Sequence, residues 1–371
     1  MGAYALVEAR DGRITLGEQG SAGGLGGPYP DSVLPLTKDE REVFGDGLGV
    51  FPQNATLTPR FPRSGELAAA AWDASHASTV DGVAAVDPVM LSYLLRATGP
   101  VAVPGTDREV VELTSENAVQ ILLNEIYLAK RDDPAVQDAF FAAAAKKVFQ
   151  RVARGGFDSA TLLEALRQGV HEDRLLLWSR STSEQKELTT SSLGGQIGSR
   201  SPANPFVGVY LNDQSASKFD YYLDTSVDVV STRCTGPTDQ RRQEIEVAVT
   251  LTSRLPQNVD SLGRSILGQS RPRGFMVTNL FVYFPPGAEV LDGTTTSRTS
   301  ASGELSSSPS SVGEAVDAGY PVQRVSLGLD PGETGTITWR FLAPPGLDGP
   351  VDLQVTPQVR PVPVEIGEST C

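Results

Sequence analysis

The chain has 371 residues, of which 39% are hydrophobic and 7% aromatic, and it carries a formal net charge of −14. This length exceeds a single ordinary core and predicts two domains, while the apolar content excludes general disorder. The excess of acidic residues argues against nucleic acid as a partner, because binding to nucleic acid depends on Lys and Arg. No apolar run reaches the roughly 18 residues that a membrane helix needs.

The first half of the chain alternates strand and helix signals. Residues 4–8 and 14–18 alternate around Asp11-Gly12, which predicts a β-hairpin. Residues 81–87 predict a buried strand, and Pro88 directly after it opens a predicted helix over 89–97. We predict a further strand over 174–178 and further helices over 37–45, 64–77, 115–129, 134–154, 158–171 and 182–188. This order predicts an α/β domain, residues 1–213, in which helices cover a mixed or mainly parallel sheet.

The second half of the chain predicts strands alone. Alternating or β-branched runs are separated by turn residues. They cover 206–211, 219–230, 244–252, 275–284, 322–329, 334–341 and 351–355. About seven strands at this spacing predict an all-β sandwich of the immunoglobulin-like kind, residues 214–371, with the boundary near Asn212.

The chain contains two cysteines, Cys234 and Cys371. A bond between them would tie the C-terminal residue back to the start of the β domain, and closing so long a loop stabilises a fold by roughly 4–5 kcal/mol. Two cysteines do not by themselves establish an oxidising compartment, so two unrelated thiols are an open alternative at this point.

Few residues suggest chemistry. The chain has only two histidines, which nearly excludes a histidine-based metal site. Arg60 and Arg63 lie at the predicted start of the helix over 64–77, where a guanidinium pair beside backbone amides can clamp phosphate or pyrophosphate; ordinary surface arginines are the alternative.

Carboxylates at strand ends are the other candidates. Asp81 and Asp87 flank the predicted strand over 81–87, and α/β sheets usually place their sites at strand ends. Two opposed carboxylates would suffice for glycoside hydrolysis. Solvated surface carboxylates are the competing explanation, because a separation between side chains cannot be taken from sequence.

A set of short segments in fixed order resembles a bacterial family known as domain of unknown function 4012. The segments are Asn54-Ala55-Thr56, Phe61-Pro62-Arg63, 80–88, 94–100, 113–118, 137–141, 210–213 and 217–222. Members occur in Gram-positive envelope gene neighbourhoods, and the resemblance implies a membrane helix and stalk upstream of Met1. It therefore implies an extracytoplasmic, membrane-anchored full-length protein, a location that favours the Cys234–Cys371 disulfide.

A more distant resemblance concerns the LytR-CpsA-Psr phosphotransferases, which attach lipid-linked glycopolymers to the cell wall. It rests on the order of the strand ending at Asp87, its helix, a Gly-Pro turn and the helix over 115–129. It implies Arg60 and Arg63 as pyrophosphate contacts and Asp81 or Asp87 as ligands of Mg²⁺. On the helix over 115–129, Asn124 is a polar candidate where those transferases use arginine.

Together these observations lead to three functional hypotheses. The first is an extracytoplasmic envelope protein that binds a lipid-linked glycan or other envelope polymer and, if it is an enzyme, transfers it. This hypothesis predicts an elongated apolar pocket beside Arg60 and Arg63. Such an enzyme would be a phosphotransferase-like glycopolymer ligase. The second is a non-catalytic scaffold or adhesion module that docks another envelope protein or a glycan. The third is a glycoside hydrolase.

Overall fold

A computed structural model describes residues 2–105, 109–129, 133–237, 240–291, 295–300, 303–305, 312–369 and 371. The chain forms two compact units: unit 1 comprises Met1–Thr37 and Phe44–Gln196, and unit 2 comprises Lys38–Val43 and Ile197–Cys371. The division therefore falls before the expected position at residue 213. The strand Phe206–Asp213 lies in unit 2 because it hydrogen-bonds between two strands of that unit.

Unit 1 is a mixed α/β unit, as predicted. Its strands are β1 (Ala3–Arg10), β2 (Arg13–Ser21), β3 (Gly82–Val86), β4 (Val101–Pro104), β5 (Val110–Leu113) and β6 (Leu175–Ser179). The first eight helices of the chain are α1 (Lys38–Phe44), α2 (Phe61–Ser75), α3 (Pro88–Thr98), α4 (Ala118–Gln120), α5 (Ile126–Ala129), α6 (Pro134–Arg154), α7 (Ser159–His171) and α8 (Thr182–Thr189). Of these, α1 contributes all but its last residue to unit 2.

The strands of unit 1 pair differently from our expectation. In the described part of this unit each sheet is an antiparallel pair: β1 with β2, β3 with β6, and β4 with β5. The prediction of a mixed or mainly parallel sheet was wrong. The strand β3 followed by α3 resembles the opening of a βαβ unit, but the next strand, β4, bonds to β5 instead of returning to β3.

Helix α2 packs against the β3–β6 pair. Gly65 allows this approach, because a Cβ atom built there would lie 2.5 Å from the Cβ of Trp178. Phe61, Ala69 and Trp178 form a buried cluster on this face, with Val83 among the partly buried side chains around it. This packing holds the start of α2 against the β3–β6 pair. Arg60 and Arg63 lie at the start of α2, and Asp81 and Asp87 lie at the two ends of β3.

Unit 2 is β-rich. Its strands are β7 (Phe206–Asp213), β8 (Leu223–Thr235), β9 (Arg242–Ser253), β10 (Met276–Tyr283), β11 (Glu289–Val290), β12 (Thr295–Ser300), β13 (Gly303–Leu305), β14 (Val312–Asp317), β15 (Tyr320–Leu329), β16 (Thr334–Leu342), β17 (Asp352–Val355) and β18 (Val364–Ile366). One short helix, α9 (Arg264–Leu267), precedes β10. The predicted β-rich C-terminal region is confirmed.

Two sheets make up unit 2. One has the order β14-β15-β10-β7-β17, and the other has the order β13-β12-β16-β9-β8-β18 with β11 paired to β16. Buried side chains alternate along the central strands β8, β9 and β16. Phe284, just after β10, meets Phe341 of β16 with ring centroids 4.9 Å apart, so the inner faces of the two sheets share a core.

The two cysteines form a disulfide, which confirms the predicted pairing. Cys234, near the end of β8, bonds to Cys371 with a Cα–Cα distance of 5.1 Å. The short strand β18, which pairs in parallel with β8 over Val227–Val229, lies just before this bond. The end of the chain is thus held against β8 by both hydrogen bonds and a covalent bond.

Candidate functional site

Asp87 links the end of β3 to the start of α3. It is the N-cap of that helix, where one carboxylate oxygen accepts a hydrogen bond from the Met90 amide at 2.7 Å. Its other oxygen accepts from Nη1 of Arg174 at 2.6 Å. Because the Arg174 cation lies 2.6 Å from this oxygen, charge repulsion disfavours the Mg²⁺ ion that the resemblance implied at Asp87.

Arg174 is the centre of a buried polar network. The residue is 8% exposed, and besides Asp87 its Nε donates to Glu172 at 2.6 Å. Glu172 also accepts from the Tyr93 hydroxyl at 2.7 Å and from the Gln168 amide at 2.8 Å. These five residues, which we call the Arg174 network, connect α3, α7 and the segment that leads into β6, so the arrangement stabilises unit 1 through contacts far apart in sequence.

The Arg174 network shifts the titration of two of its members. Burial and the hydrogen bond to Glu172 raise the pKa of Tyr93 to about 12. Burial acts to raise the pKa of Glu172, but hydrogen bonds from Gln168, Arg174 and Tyr93, with the positive charge of Arg174, outweigh it and lower this pKa below its ordinary value. The folded state therefore favours an ionised Glu172.

We expect Glu172 to make the stability of unit 1 sensitive to acid. Because its pKa is lowered by folding, its contribution is complete above the ordinary glutamate pKa of about 4.3 and is lost as the pH falls through the lower folded value. As the pH falls from about 6 to about 3, the urea concentration at the midpoint of unfolding should therefore decrease less for Glu172→Gln than for the wild type. Glu8→Gln, on the exposed hairpin, should behave as the wild type; an equal acid response in Glu172→Gln would contradict the expectation.

The two arginines at the start of α2 are only partly arranged as predicted. Arg63 is held in place: Nη1 donates to Glu66 at 3.0 Å and Nη2 to the carbonyl of Pro35 at 2.7 Å, and its side chain is 14% exposed. Arg60 is the N-cap residue, with its own amide donating to the Thr58 hydroxyl at 3.3 Å. Arg63 thus fastens the start of α2 to the preceding segment instead of presenting an open guanidinium.

Asp81 and Asp87 lie at opposite ends of one strand. Asp81 is exposed and precedes β3, and its carbonyl accepts from the Arg180 amide at 2.8 Å. With a rise of about 3.3 Å per residue, the two Cα atoms are roughly 20 Å apart. The pair therefore cannot hold one Mg²⁺ ion together, and this separation exceeds the roughly 5–10 Å of a glycosidase carboxylate pair.

Asn124 lies on an irregular helical turn. Between α4 and α5 the chain forms a π-helical segment, Ile121–Glu125, in which Asn124 is half-buried. Turns of this kind are frequent at functional sites. Nearby, the Gln120 amide donates to Glu125 at 2.6 Å. Asn124 is therefore the predicted residue whose local backbone is most unusual.

Two open depressions in the described part of the chain involve other residues. One is at the tip of the first hairpin, lined by Arg10, Asp11, Arg13 and Thr15. The other is on unit 2, with a volume of about 360 Å³, lined by Gln214, Ser215, Ala216, Gln269, Ser270, Arg271, Phe275 and Val277. Neither contains any of the five predicted ligand-binding residues. In addition, the described residues include no group of three or more His, Cys, Asp or Glu side chains suited to a metal ion.

Sequence reasoning missed the depression on unit 2. Its residues come from two segments more than fifty positions apart, and neither segment has a recognisable motif. A signal was nevertheless present, because residues 254–275 carry four arginines against one aspartate in a strongly acidic chain. Two of these arginines pair within unit 2, Arg254 with Asp224 and Arg273 with Asp260.

The fold and these contacts define a protein of two units, one mixed α/β and the other β-rich with an internal disulfide. Residues 1–127 match the model of a family described as "Protein of unknown function (DUF4012)", so the predicted resemblance is confirmed over this first part of the chain. No curated protein and no solved structure matches the chain. Among the helices of the described residues, none is both long and apolar enough to span a membrane.

Proposed function

We propose that this is an extracytoplasmic protein of the bacterial cell envelope, membrane-anchored in its full-length form, which binds an envelope glycopolymer without transferring it. The family resemblance supports the envelope setting. The Cys234–Cys371 disulfide is consistent with it, because disulfides form and persist mainly in oxidising environments outside the cytoplasm.

The engagement of Asp87 carries the non-transferring part of the proposal. A phosphotransferase of the kind implied by the distant resemblance needs carboxylates and arginines that converge on a pyrophosphate and Mg²⁺. Here both carboxylate oxygens of Asp87 have partners within the fold, Arg63 is bound to Glu66 and Pro35, and Asp81 is at the far end of β3. This set serves the stability of unit 1 better than catalysis.

We also propose a more specific fold class for each unit. For unit 2, two sheets with a shared core support an immunoglobulin-like sandwich. For unit 1, the order of β3, α3, the turn at Gly99-Pro100 and the helical segment after Thr114 supports a relationship to the LytR-CpsA-Psr proteins.

Docking of another envelope protein is a second candidate function. The observation that favours it is β18, an edge strand at the end of its sheet, on which Val364 and Ile366 are exposed. An exposed edge strand offers backbone groups to an added strand of a partner.

Substitution in unit 1 tests binding without transfer. We expect Asp87→Asn and Arg63→Gln to retain a cell-wall glycopolymer preparation as the wild type does, within about twofold in Kd, since these side chains bind other groups of the fold. Both variants should unfold at lower urea concentration. Retention is measured by affinity capture of labelled polymer well below both unfolding midpoints. A tenfold loss of retention in either variant at full folding would support a pyrophosphate site and contradict the proposal.

A further inference from the structure

The depression on unit 2 is formed by two loops that are bonded to each other. The amide of Gln269 donates to the carbonyl of Ser215 at 2.9 Å, and the amide of Gln214 donates to the carbonyl of Val277 at 3.0 Å. Gly268 permits the close approach: its φ is +55°, and a Cβ atom built there would lie 2.6 Å from the carbonyl oxygen of Ala216. The position of the lining residues is therefore set by backbone contacts before any ligand arrives.

The lining offers hydrogen-bonding groups without protein partners. In the part of the chain that the structure describes, the side-chain amides of Gln214 and Gln269 and the hydroxyl of Ser215 make no hydrogen bond to protein. Ser215 is only 8% exposed. Because the Gln214 and Gln269 side chains are exposed, their amides face solvent and are accessible to a ligand. A ligand that carries hydroxyl groups would supply partners to all three.

One wall of the depression is apolar. Phe275 and Val277 line it, and the ring of Phe275 packs against Gly328 of β15, where a Cβ atom would lie 2.2 Å from the ring. The ring is thereby held by the sheet. A fixed aromatic wall beside a few polar groups is the usual composition of a small-molecule site, and it matches the apolar face and polar edge of a sugar ring.

The charge around the depression favours an anion. Arg271 is exposed and lines the depression, and among the described residues its guanidinium makes one hydrogen bond, from Nη1 to the carbonyl of Ser270 at 2.9 Å. A guanidinium group binds carboxylate or phosphate through two parallel N–H donors. The nearby Asp213 accepts from the Ser217 amide and hydroxyl, and these bonds stabilise its negative charge and hold its carboxylate against the 215–217 loop.

We propose that the depression between residues 214–216 and 269–277 binds one anionic sugar unit of a glycopolymer. Arg271 binds the carboxylate or phosphate of that unit, Gln214 and Gln269 bind its hydroxyl groups, and Phe275 covers its apolar face. The inference rests on the proposed function for the nature of the polymer, and it adds the location of the site and the charge of the ligand.

The test compares three polymers and three variants. Poly(N-acetylglucosamine 1-phosphate) carries phosphate, polygalacturonate carries carboxylate, and dextran is neutral. The variants are Arg271→Gln, Gln269→Ala and the control Arg273→Gln, which removes the same charge from an exposed arginine that pairs with Asp260 at 3.5 Å and does not line the depression. Affinities are measured by biolayer interferometry on the whole chain, after urea unfolding has shown equal stability.

We expect the wild type to bind at least one charged polymer more tightly than dextran by about tenfold or more, the size of one charge-assisted contact. Arg271→Gln should remove about tenfold of that affinity, Gln269→Ala about threefold, and Arg273→Gln less than about twofold. Binding to only one charged polymer identifies the anion and supports the site.

Three outcomes would overturn the inference. Equal losses in Arg271→Gln and Arg273→Gln mean general charge attraction, and equal binding of dextran and the charged polymers means a site that ignores charge; both leave the proposed function standing. A wild-type protein that retains none of the three polymers, and no cell-wall glycopolymer either, removes the proposed function together with the inference.

Discussion

Replacing both Cys234 and Cys371 by serine is expected to lower the free energy of unfolding of unit 2 by about 2–5 kcal/mol. The bond joins residues separated by 137 positions, so it removes a large amount of chain freedom from the unfolded state. Within the fold it also holds the segment that contains β18. Since β18 pairs with β8 alone among the described strands, this edge should loosen first when the bond is lost.

Hydrogen exchange followed by mass spectrometry measures the loosening of the β8–β18 edge directly. Peptides from β8 and β18 should exchange faster in the double variant than in the wild type, and a reducing agent should produce the same change in the wild type. The chain has only two cysteines, so the reducing agent should leave the double variant unchanged. Unaltered protection of β8 and β18 in the reduced wild type would contradict the structural role of the bond.

Replacing Arg174 by methionine is expected to lower the free energy of unfolding of unit 1 by about 3 kcal/mol. The substitution keeps most of the aliphatic volume and removes the cation between Asp87 and Glu172. Two carboxylates then share a site without their partner, which is the costly way to break a buried ion pair. Their own side chains are 34% and 31% exposed, so solvent relieves part of the repulsion and keeps the loss at the lower end of the known range.

Arg167→Met is the matched control for Arg174→Met. Arg167 also lies on unit 1 and pairs with a carboxylate, Glu164, but its side chain is 72% exposed. Exposed pairs contribute little to stability, so this variant should unfold at the wild-type urea midpoint. Unfolding of unit 1 can be followed by hydrogen exchange of peptides from α2 and β6, which pack together at Trp178. Equal midpoints for Arg174→Met and Arg167→Met would show that the Arg174 network does not stabilise unit 1.

Elements with strong local signals could be predicted from sequence. The first hairpin turns at Asp11 and Gly12, with φ of 50° and 74°, as the Asp-Gly pair indicated. Helix α6 begins at Pro134, and α7 is capped by Asp158, whose carboxylate accepts from the Thr161 amide at 3.0 Å. In each case a few adjacent residues determine the geometry, so a short stretch of sequence contains the necessary information.

Partners distant in sequence could not be predicted. Asp87 was predicted to bind Mg²⁺ because it follows a strand. Its ion-pair partner Arg174 lies 87 positions away, and the residues around Arg174 do not indicate this pairing. The antiparallel pairing of β3 with β6 is of the same kind. So is the depression on unit 2, which needs Gln214 and Gln269 side by side. These features depend on tertiary contacts that override local patterns.

The most direct test of glycopolymer binding without transfer uses the wild-type chain, lipid-linked poly(N-acetylglucosamine 1-phosphate), Mg²⁺ and purified peptidoglycan as acceptor. After incubation, the polymer bound to the protein and the polymer bound to peptidoglycan are each analysed by mass spectrometry. We predict that the protein retains the polymer and that the polymer is still joined to its lipid. Polymer covalently attached to peptidoglycan, or no polymer retained by the protein, would contradict the account.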